Sequence, residues 1–187
     1  LLGCKPADDP VLVPLQPPAD AELKPLWQIP DFKLVERSGQ PVTLSDLKGK
    51  VWIADFFYTT CPGPCPMMTS RLSELHKMLK DEPDVRLVSI STDPAKDTPE
   101  MLKLYAEKFG ASDRWLFLTG EKAQIFSLAN EGFKLSLVET PEDAEPITHS
   151  TKLVLLDKTG TIRGLYEGVG EEDLGRMVEH VRRLLKE

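Results

Sequence analysis

The fold of this chain is limited above all by a near-continuous apolar run, Val51-Trp52-Ile53-Ala54-Asp55-Phe56-Phe57. Its length is that of a β-strand, and runs of this kind fit a central strand that is covered on both faces. Strand and helix patterns alternate from residue 31 onward, and Ser38-Gly39 is a hairpin signal between two short strand patterns. The order predicts an α/β fold, with a central mixed β-sheet, helices on both faces and an N-terminal hairpin.

This order of elements is the thioredoxin-like one. Helices are predicted at about 66–80, 97–109, 121–130 and 171–186, and further strands at 85–90, 116–118, 133–138, 152–156 and 161–166. In such sheets, functional sites gather at the carboxyl ends of the strands. The turns after Phe57 and after Ile90 are therefore the places where chemistry is expected.

Two of the three cysteines lie in the first of these turns, in Cys61-Pro62-Gly63-Pro64-Cys65-Pro66. The prolines stiffen the loop, and Pro66 suits a first helical position. The positive end of the following helix dipole is expected to favour thiolate. Three residues separate the cysteines, instead of the two of the usual redox motif. A disulfide needs Cβ atoms within about 3.5–4.5 Å, whereas a metal held by two sulfurs tolerates a wider gap, so the spacing favours a metal without excluding a disulfide.

The histidines are the natural source of a further ligand, because imidazole suits copper and zinc, two of the metals that soft thiolates select. His76 lies beside the apolar stripe of its helix, and His180 is predicted on the exposed side of the last helix. His149 stands in a loop just before an apolar strand. By itself, a histidine in such a loop is more often solvated than a metal ligand.

The N-terminus is different in character. Leu1-Leu2-Gly3-Cys4 looks like the end of a bacterial lipoprotein signal, in which Cys4 is lipidated, and seven prolines follow within the first 30 residues. A proline-rich segment of this kind acts as an extended spacer. We therefore expect residues 1–28 to be a lipobox remnant and tether, and residues 29–187 to be the folded domain.

Composition excludes several classes of protein. The chain has 187 residues and a formal net charge of -7, which argues against nucleic-acid binding. No run approaches the roughly 18 apolar residues that cross a bilayer. Three cysteines are too few for a disulfide-built scaffold.

Four stretches together resemble the SCO/SenC proteins, thioredoxin-fold copper chaperones for cytochrome c oxidase. They are Leu44-Ser45-Asp46-Leu47-Lys48-Gly49-Lys50-Val51, Phe57-Tyr58-Thr59-Thr60-Cys61-Pro62-Gly63-Pro64-Cys65-Pro66, Ser91-Thr92-Asp93-Pro94-Ala95-Lys96-Asp97-Thr98-Pro99-Glu100 and His149-Ser150-Thr151. The resemblance covers residues 29–187. Gly63-Pro64 departs from the acidic or polar and aliphatic pair that is more usual there, which changes the stiffness and charge of the loop but removes no ligand.

The resemblance implies that Cys61, Cys65 and His149 hold one copper ion, as copper(I) or copper(II). It also implies delivery of that ion to the binuclear copper site of cytochrome c oxidase subunit II, or reduction of that subunit's cysteines, or both. Other periplasmic copper chaperones or thioredoxin-like reductants are further expected partners. Family members are commonly tethered to the membrane and face the periplasm or its equivalent, which agrees with the lipobox and tether and gives an expected location on the extracytoplasmic side of a bacterial cell membrane.

Two acidic residues follow the strand that ends near Ile90. Asp93 is either a turn residue before Pro94 or a residue that orients His149 or assists copper transfer, and Asp97 is expected to cap a helix. The main alternative function is a thiol–disulfide oxidoreductase that uses the two cysteines directly. A peroxidase using Arg71 is disfavoured by the paired cysteines, and a structural zinc site lacks a fourth ligand.

Overall fold

The computed structural model describes Pro18 and residues 22–139, 147–169 and 174–187. The strands of this part are β1 Trp27–Gln28, β2 Lys33–Glu36, β3 Pro41–Thr43, β4 Val51–Phe57, β5 Val85–Ser91, β6 Trp115–Thr119, β7 Leu137–Glu139, β8 Ile147–His149, β9 Lys152–Leu156 and β10 Thr161–Glu167. Its helices are α1 Leu44–Leu47, α2 Cys65–Met78, α3 Pro99–Lys108, α4 Lys122–Ser127 and α5 Leu174–Leu185, and a π-helical turn at Leu128–Gly132 follows α4.

An eight-stranded mixed sheet with the order β1-β10-β9-β4-β5-β6-β2-β3 forms the centre of the fold, and β7 and β8 form a separate ribbon. Strands β4, β5 and β6 are parallel, and β9 runs antiparallel to β4. All seven residues of β4 are buried, as the apolar run predicts. The predicted hairpin is also present, with β2 and β3 paired around Gly39, whose φ of 82° suits glycine.

Helices cover both faces of this sheet. On one face, the ring of Phe57 lies 5.3 Å from that of Tyr105 in α3. On the other, Trp52 and Phe56 contact the ring of Phe133, which follows the π-helical turn, at 6.2 and 5.2 Å. The predicted thioredoxin-like arrangement of a mixed sheet between helical layers is thus confirmed.

The folded part begins before residue 29. Leu23 is buried, the Leu26 N–H donates to the Ile162 carbonyl at 2.9 Å, and β1 pairs with β10. The folded part therefore includes residues 22–28, of which Trp27–Gln28 form a strand of the sheet, although the proline pattern predicts a spacer there. Cys4 and the rest of the predicted tether, apart from Pro18, lie outside the described residues, and its role stays a prediction.

Two local predictions are wrong. His180 is fully buried and not on the exposed side of the last helix. Its burial is tolerated because its ring nitrogens have hydrogen-bond partners, Tyr166 Oη at 2.7 Å and the Pro18 carbonyl at 3.1 Å. The strand expected at 133–138 is reduced to β7, because the chain turns at Lys134, whose φ is 54°, after Phe133 enters the core. Within the described residues, no helix combines the length and apolarity that a bilayer span requires.

Candidate metal centre

The two cysteines lie where β4 leaves the sheet and α2 begins. The Cys61 N–H donates to the Tyr58 carbonyl at 3.3 Å, and Cys65 is the first residue of α2, one position earlier than predicted. Cys61 is 7% exposed and Cys65 is fully buried, and both thiols are free. The stiff loop thus presents two reduced sulfurs beneath the surface at the carboxyl edge of the sheet.

Asp97 fixes the start of this loop. Its carboxylate accepts hydrogen bonds from the Thr59 N–H at 3.1 Å, the Thr59 hydroxyl at 2.5 Å and the Ser91 hydroxyl at 2.5 Å. The predicted helix-capping role is wrong, because Thr98 is the N-cap of α3 and its hydroxyl accepts from the Met101 N–H. Hydroxyl residues at the carboxyl ends of two adjacent parallel strands were the signal that could have revealed this role.

His149 reaches the cysteines from a different part of the chain. It ends β8, where it pairs with Leu137 of β7, so it lies on a short ribbon and not in the predicted loop. Its Nε2 lies 2.8 Å from Cys65 Sγ. Its ring also makes an edge-to-face contact with Tyr58, with centroids 5.8 Å apart. The ribbon therefore brings the imidazole over the buried sulfur.

The hydrogen bond on the other side of the ring indicates which ring nitrogen of His149 carries the proton. Nδ1 of His149 lies 3.0 Å from the Ser150 carbonyl, which can only accept a hydrogen bond. In the neutral ring, Nδ1 therefore carries the proton and Nε2 keeps its lone pair directed at Cys65. Metal-binding histidines are commonly oriented in this way by a backbone carbonyl.

The donor atoms of Cys61, Cys65 and His149 all lie within 4.8 Å of one another. Two ligands on one metal, at bond lengths of about 2.0–2.3 Å, can be separated by at most about 4.6 Å, so small side-chain adjustments would let one ion contact all three. The structure thus brings together the three residues that the resemblance implies. Two sulfurs and one imidazole nitrogen form a donor set that suits copper, and the described residues contribute no fourth cysteine, histidine or carboxylate to this group.

Burial dominates the electrostatics of the site. Loss of solvent raises the pKa of the Cys65 thiol, and the neighbouring Cys61 sulfur adds to the rise. The helix dipole was expected to act in the opposite direction, and at Cys65 it is outweighed. Cys65 is consequently a thiol in the metal-free protein, and a bound metal must displace its proton.

A buried carboxyl group lies in the strand that leads to the cysteines. Asp55 is 1% exposed, and neither of its oxygens makes a regular hydrogen bond within the described chain. Burial raises the pKa of Asp55 to about 7, an effect that Ser89 of the neighbouring strand only partly offsets. The charge on Asp55 also contributes to the raised pKa of Cys65.

Asp93 lies in the turn after β5, but outside the group of donor atoms. Its carboxylate pairs with Lys96 at 3.1 Å, and its N–H donates to the Ser91 hydroxyl. This fits its interpretation as a turn residue, and its suggested role in orienting His149 or assisting copper transfer stays a prediction.

An open groove of about 460 Å³ adjoins the imidazole. His149 and Ser150 line one part of it, and Lys134, Leu135 and Leu165 line another. Since both sulfurs are buried, the partly exposed histidine is the ligand that an approaching molecule in this groove would meet first.

Comparison with known proteins agrees with this arrangement. A family model described as SCO1/SenC matches residues 22–186. The crystal structure of a SCO1/SenC family lipoprotein from Bacillus anthracis str. Ames has a TM-score of 0.80 and 34% identity, covering 86% of this chain and 97% of that one.

Two further solved structures are similar. BsSco, described as a member of the Sco family of cytochrome c oxidase assembly proteins with a disulfide switch, has a TM-score of 0.77 and 35% identity over 86% of this chain and 95% of its own. Copper-bound ScoI from Bradyrhizobium japonicum has a TM-score of 0.73 and 27% identity over 84% and 99%. The resemblance inferred from the motifs is thereby confirmed, and the chain belongs to the SCO1/SenC family.

Proposed function

We propose that this protein is a copper metallochaperone that holds one copper ion between Cys61, Cys65 and His149. The observation that carries the proposal is the convergence of these three donor atoms within 4.8 Å, although His149 lies 84 positions after Cys65 in the chain. Thiolate sulfur and neutral imidazole together suit copper. The copper-bound structure of a family member with the same fold gives independent support.

We further propose that the recipient is the binuclear copper site of cytochrome c oxidase subunit II. The description of BsSco as belonging to a family of oxidase assembly proteins supports this assignment. Three protein ligands leave room for a ligand from the partner, so copper can be passed by stepwise exchange. His149 is the ligand expected to leave first, because it is the one that borders the groove, whereas both sulfurs are buried.

Copper titration of the reduced protein tests this proposal. We expect one tightly bound equivalent of copper and the release of a proton as the metal displaces it from the Cys65 thiol. We also expect the copper(II) spectrum to show coupling to the nitrogen of His149. His149→Ala should weaken copper(II) binding at least roughly 100-fold, since loss of a group that merely supports a ligand already costs about 10–100-fold. His76→Ala is the matched control, because His76 packs against Trp115, away from the donor group. Equal copper binding by wild type and His149→Ala would remove the basis of the proposal.

A thiol–disulfide oxidoreductase is the second candidate. Two free sulfurs within 4.8 Å of each other need only a modest approach to form a disulfide, and a disulfide switch is described for BsSco. The same His149→Ala protein separates the two functions. The assay measures how fast it reduces a disulfide in a partner protein while all metal is chelated. Rapid reduction of the partner that does not depend on His149 would favour the oxidoreductase. A thioredoxin-like reductant or a second periplasmic copper chaperone would then act upstream, to restore the thiols or supply the ion.

We also propose that the domain is anchored by lipid at Cys4 on the extracytoplasmic side of a bacterial cell membrane. The lipobox-like Leu1-Leu2-Gly3-Cys4 supports this, as does the description of the Bacillus anthracis family member as a lipoprotein. Expressed with a complete lipoprotein signal, the wild type should fractionate with membranes, whereas Cys4→Ser should be released or remain unprocessed. Lys5→Ser is the control. Membrane association of Cys4→Ser after processing would refute the anchor.

A further inference from the structure

Gly168 lies directly after β10, opposite the chain segment that carries His149. Its N–H donates to the Thr151 carbonyl at 2.7 Å. This bond continues the β9–β10 pairing one step beyond the last pair, Lys152 with Glu167. Gly168 is therefore hydrogen-bonded to the backbone two residues after the histidine.

The space around Gly168 excludes any side chain. A Cβ atom at this position would lie 2.5 Å from the Thr151 carbonyl oxygen and 3.2 Å from both Cγ and Cε of Met68. Real Cβ atoms do not approach other heavy atoms to within 3.0 Å. The nearest atom belongs to the backbone, and Met68 is fully buried, so rotation of an exposed side chain cannot relieve the contact.

The two groups that close on Gly168 are connected to two different ligands. Met68 lies in α2, three residues after Cys65, and Thr151 lies two residues after His149. Ser150 lies between His149 and Thr151, and its carbonyl oxygen is 3.0 Å from Nδ1 of the imidazole. The missing side chain thus lets the histidine segment pack closely against the cysteine helix, where Nε2 and Sγ are 2.8 Å apart.

We propose that Gly168 is a positioning residue that sets the separation between His149 and Cys65 and thereby determines whether the imidazole can share a copper ion with the sulfurs. The proposal rests on the proposed copper site. A methyl group at residue 168 would push the Thr151 carbonyl outward, and the attached Ser150–His149 segment would move with it. The two sulfurs, held by the loop and α2, would stay in place.

Gly168→Ala in the full chain tests this. Copper(II) affinity should fall roughly 10–100-fold, the range for loss of a group that supports a ligand, and nitrogen coupling in the copper(II) spectrum should weaken. Copper(I) binding should change far less, because two thiolates remain. In the metal-free protein, alkylation of Cys65 should be faster than in wild type, because the imidazole no longer covers the sulfur. Faster alkylation can also follow from a loss of stability, but a weakened nitrogen coupling with copper(I) binding retained cannot.

Gly164→Ala is the matched control on the same strand. Its Cβ would meet the Tyr166 ring at 2.8 Å, a comparable clash directed at a side chain instead of the histidine segment. It should lower the melting temperature but keep wild-type copper(II) coupling. In the His149→Ala background, Gly168→Ala should cause no further loss of copper(II) affinity.

Wild-type copper(II) affinity and coupling in Gly168→Ala would overturn the positioning role while leaving the copper site intact. If His149→Ala also behaved as wild type, the proposed function itself would fail. Should Gly168→Ala not fold, Thr151→Gly decides, since it adds no atom but loosens the same backbone. Weakened copper(II) binding in that variant supports the proposal, and unchanged binding refutes it.

Discussion

Asp97→Ala is expected to lower the free energy of unfolding by about 3–5 kcal/mol, because three hydrogen bonds to one carboxylate are lost, each worth about 1.5–3 kcal/mol but not fully additive. The donors left behind are the Thr59 N–H, the Thr59 hydroxyl and the buried Ser91 hydroxyl. For a chain of this size, the expected fall in melting temperature is about 6–20 °C. Urea unfolding of the reduced protein, followed by circular dichroism, measures the change.

The same substitution should also loosen the cysteine loop, since Thr59 lies just two residues before Cys61. Asp93→Ala is the control. It removes a carboxylate from the same turn, but one whose partner is the exposed Lys96, so we expect a loss under about 1 kcal/mol. Asp97→Asn should lose less than Asp97→Ala, because the amide oxygen can keep the two bonds made by Oδ2 and the amide nitrogen can donate to the Thr59 hydroxyl. Equal losses for Asp97→Ala and Asp93→Ala would show that Asp97 does not hold the loop.

The elements that could be predicted from sequence are those with a long pattern or a strong local signal. β4 is an uninterrupted apolar run, the hairpin turns at Ser38-Gly39, and α2 begins at a cysteine–proline loop. Their positions follow from periodicity and from the backbone limits of proline and glycine. The mixed sheet then follows from the alternation of strands and helices.

The ribbon that carries His149 could not be predicted in the same way. β7 and β8 have three residues each, too few to establish an alternating pattern. The approach of the imidazole to Cys65 depends on contacts between distant segments, so the residues alone left its role open and only the family resemblance favoured it. His180 and Asp97 show the same limit. Their local sequence predicts an exposed residue and a helix cap, whereas their hydrogen-bond partners lie in other elements of the fold.

The cysteine thiols illustrate how magnitude decides between two opposing effects. A helix dipole stabilises a nearby negative charge by about 0.3–1 kcal/mol, whereas moving a charge out of water costs several kcal/mol. Cys65 is fully buried, so its pKa is raised despite its position at the start of α2. A bound metal, and not the helix, must therefore supply most of the stabilisation of the Cys65 thiolate.

Asp55 is expected to give the protein an unusual pH dependence of stability. The pKa of its carboxyl is raised by burial from 3.8 to about 7. Between these values the folded protein retains a proton that the unfolded chain has lost, so stability falls as pH rises and the loss is complete above about pH 7. At about 1.4 kcal/mol per pKa unit, the ionised group costs about 4 kcal/mol at alkaline pH, of which about 2–3 kcal/mol develops between pH 5 and 8.

Asp55→Asn removes this titration at nearly constant volume. Relative to the wild type, the variant should therefore gain about 2–3 kcal/mol in unfolding free energy from pH 5 to pH 8, measured by urea unfolding at several pH values. Asp157→Asn is the control of opposite sign: burial raises the pKa of Asp157, but hydrogen bonds from Thr159 and Arg163 outweigh burial and lower it overall. The stabilisation by Asp157 is already complete above its unfolded pKa near 3.8, so its removal should cost a nearly constant amount between pH 5 and 8. Parallel pH profiles for wild type and Asp55→Asn would mean that Asp55 stays in one protonation state between pH 5 and 8, and that burial does not bring its pKa into this range.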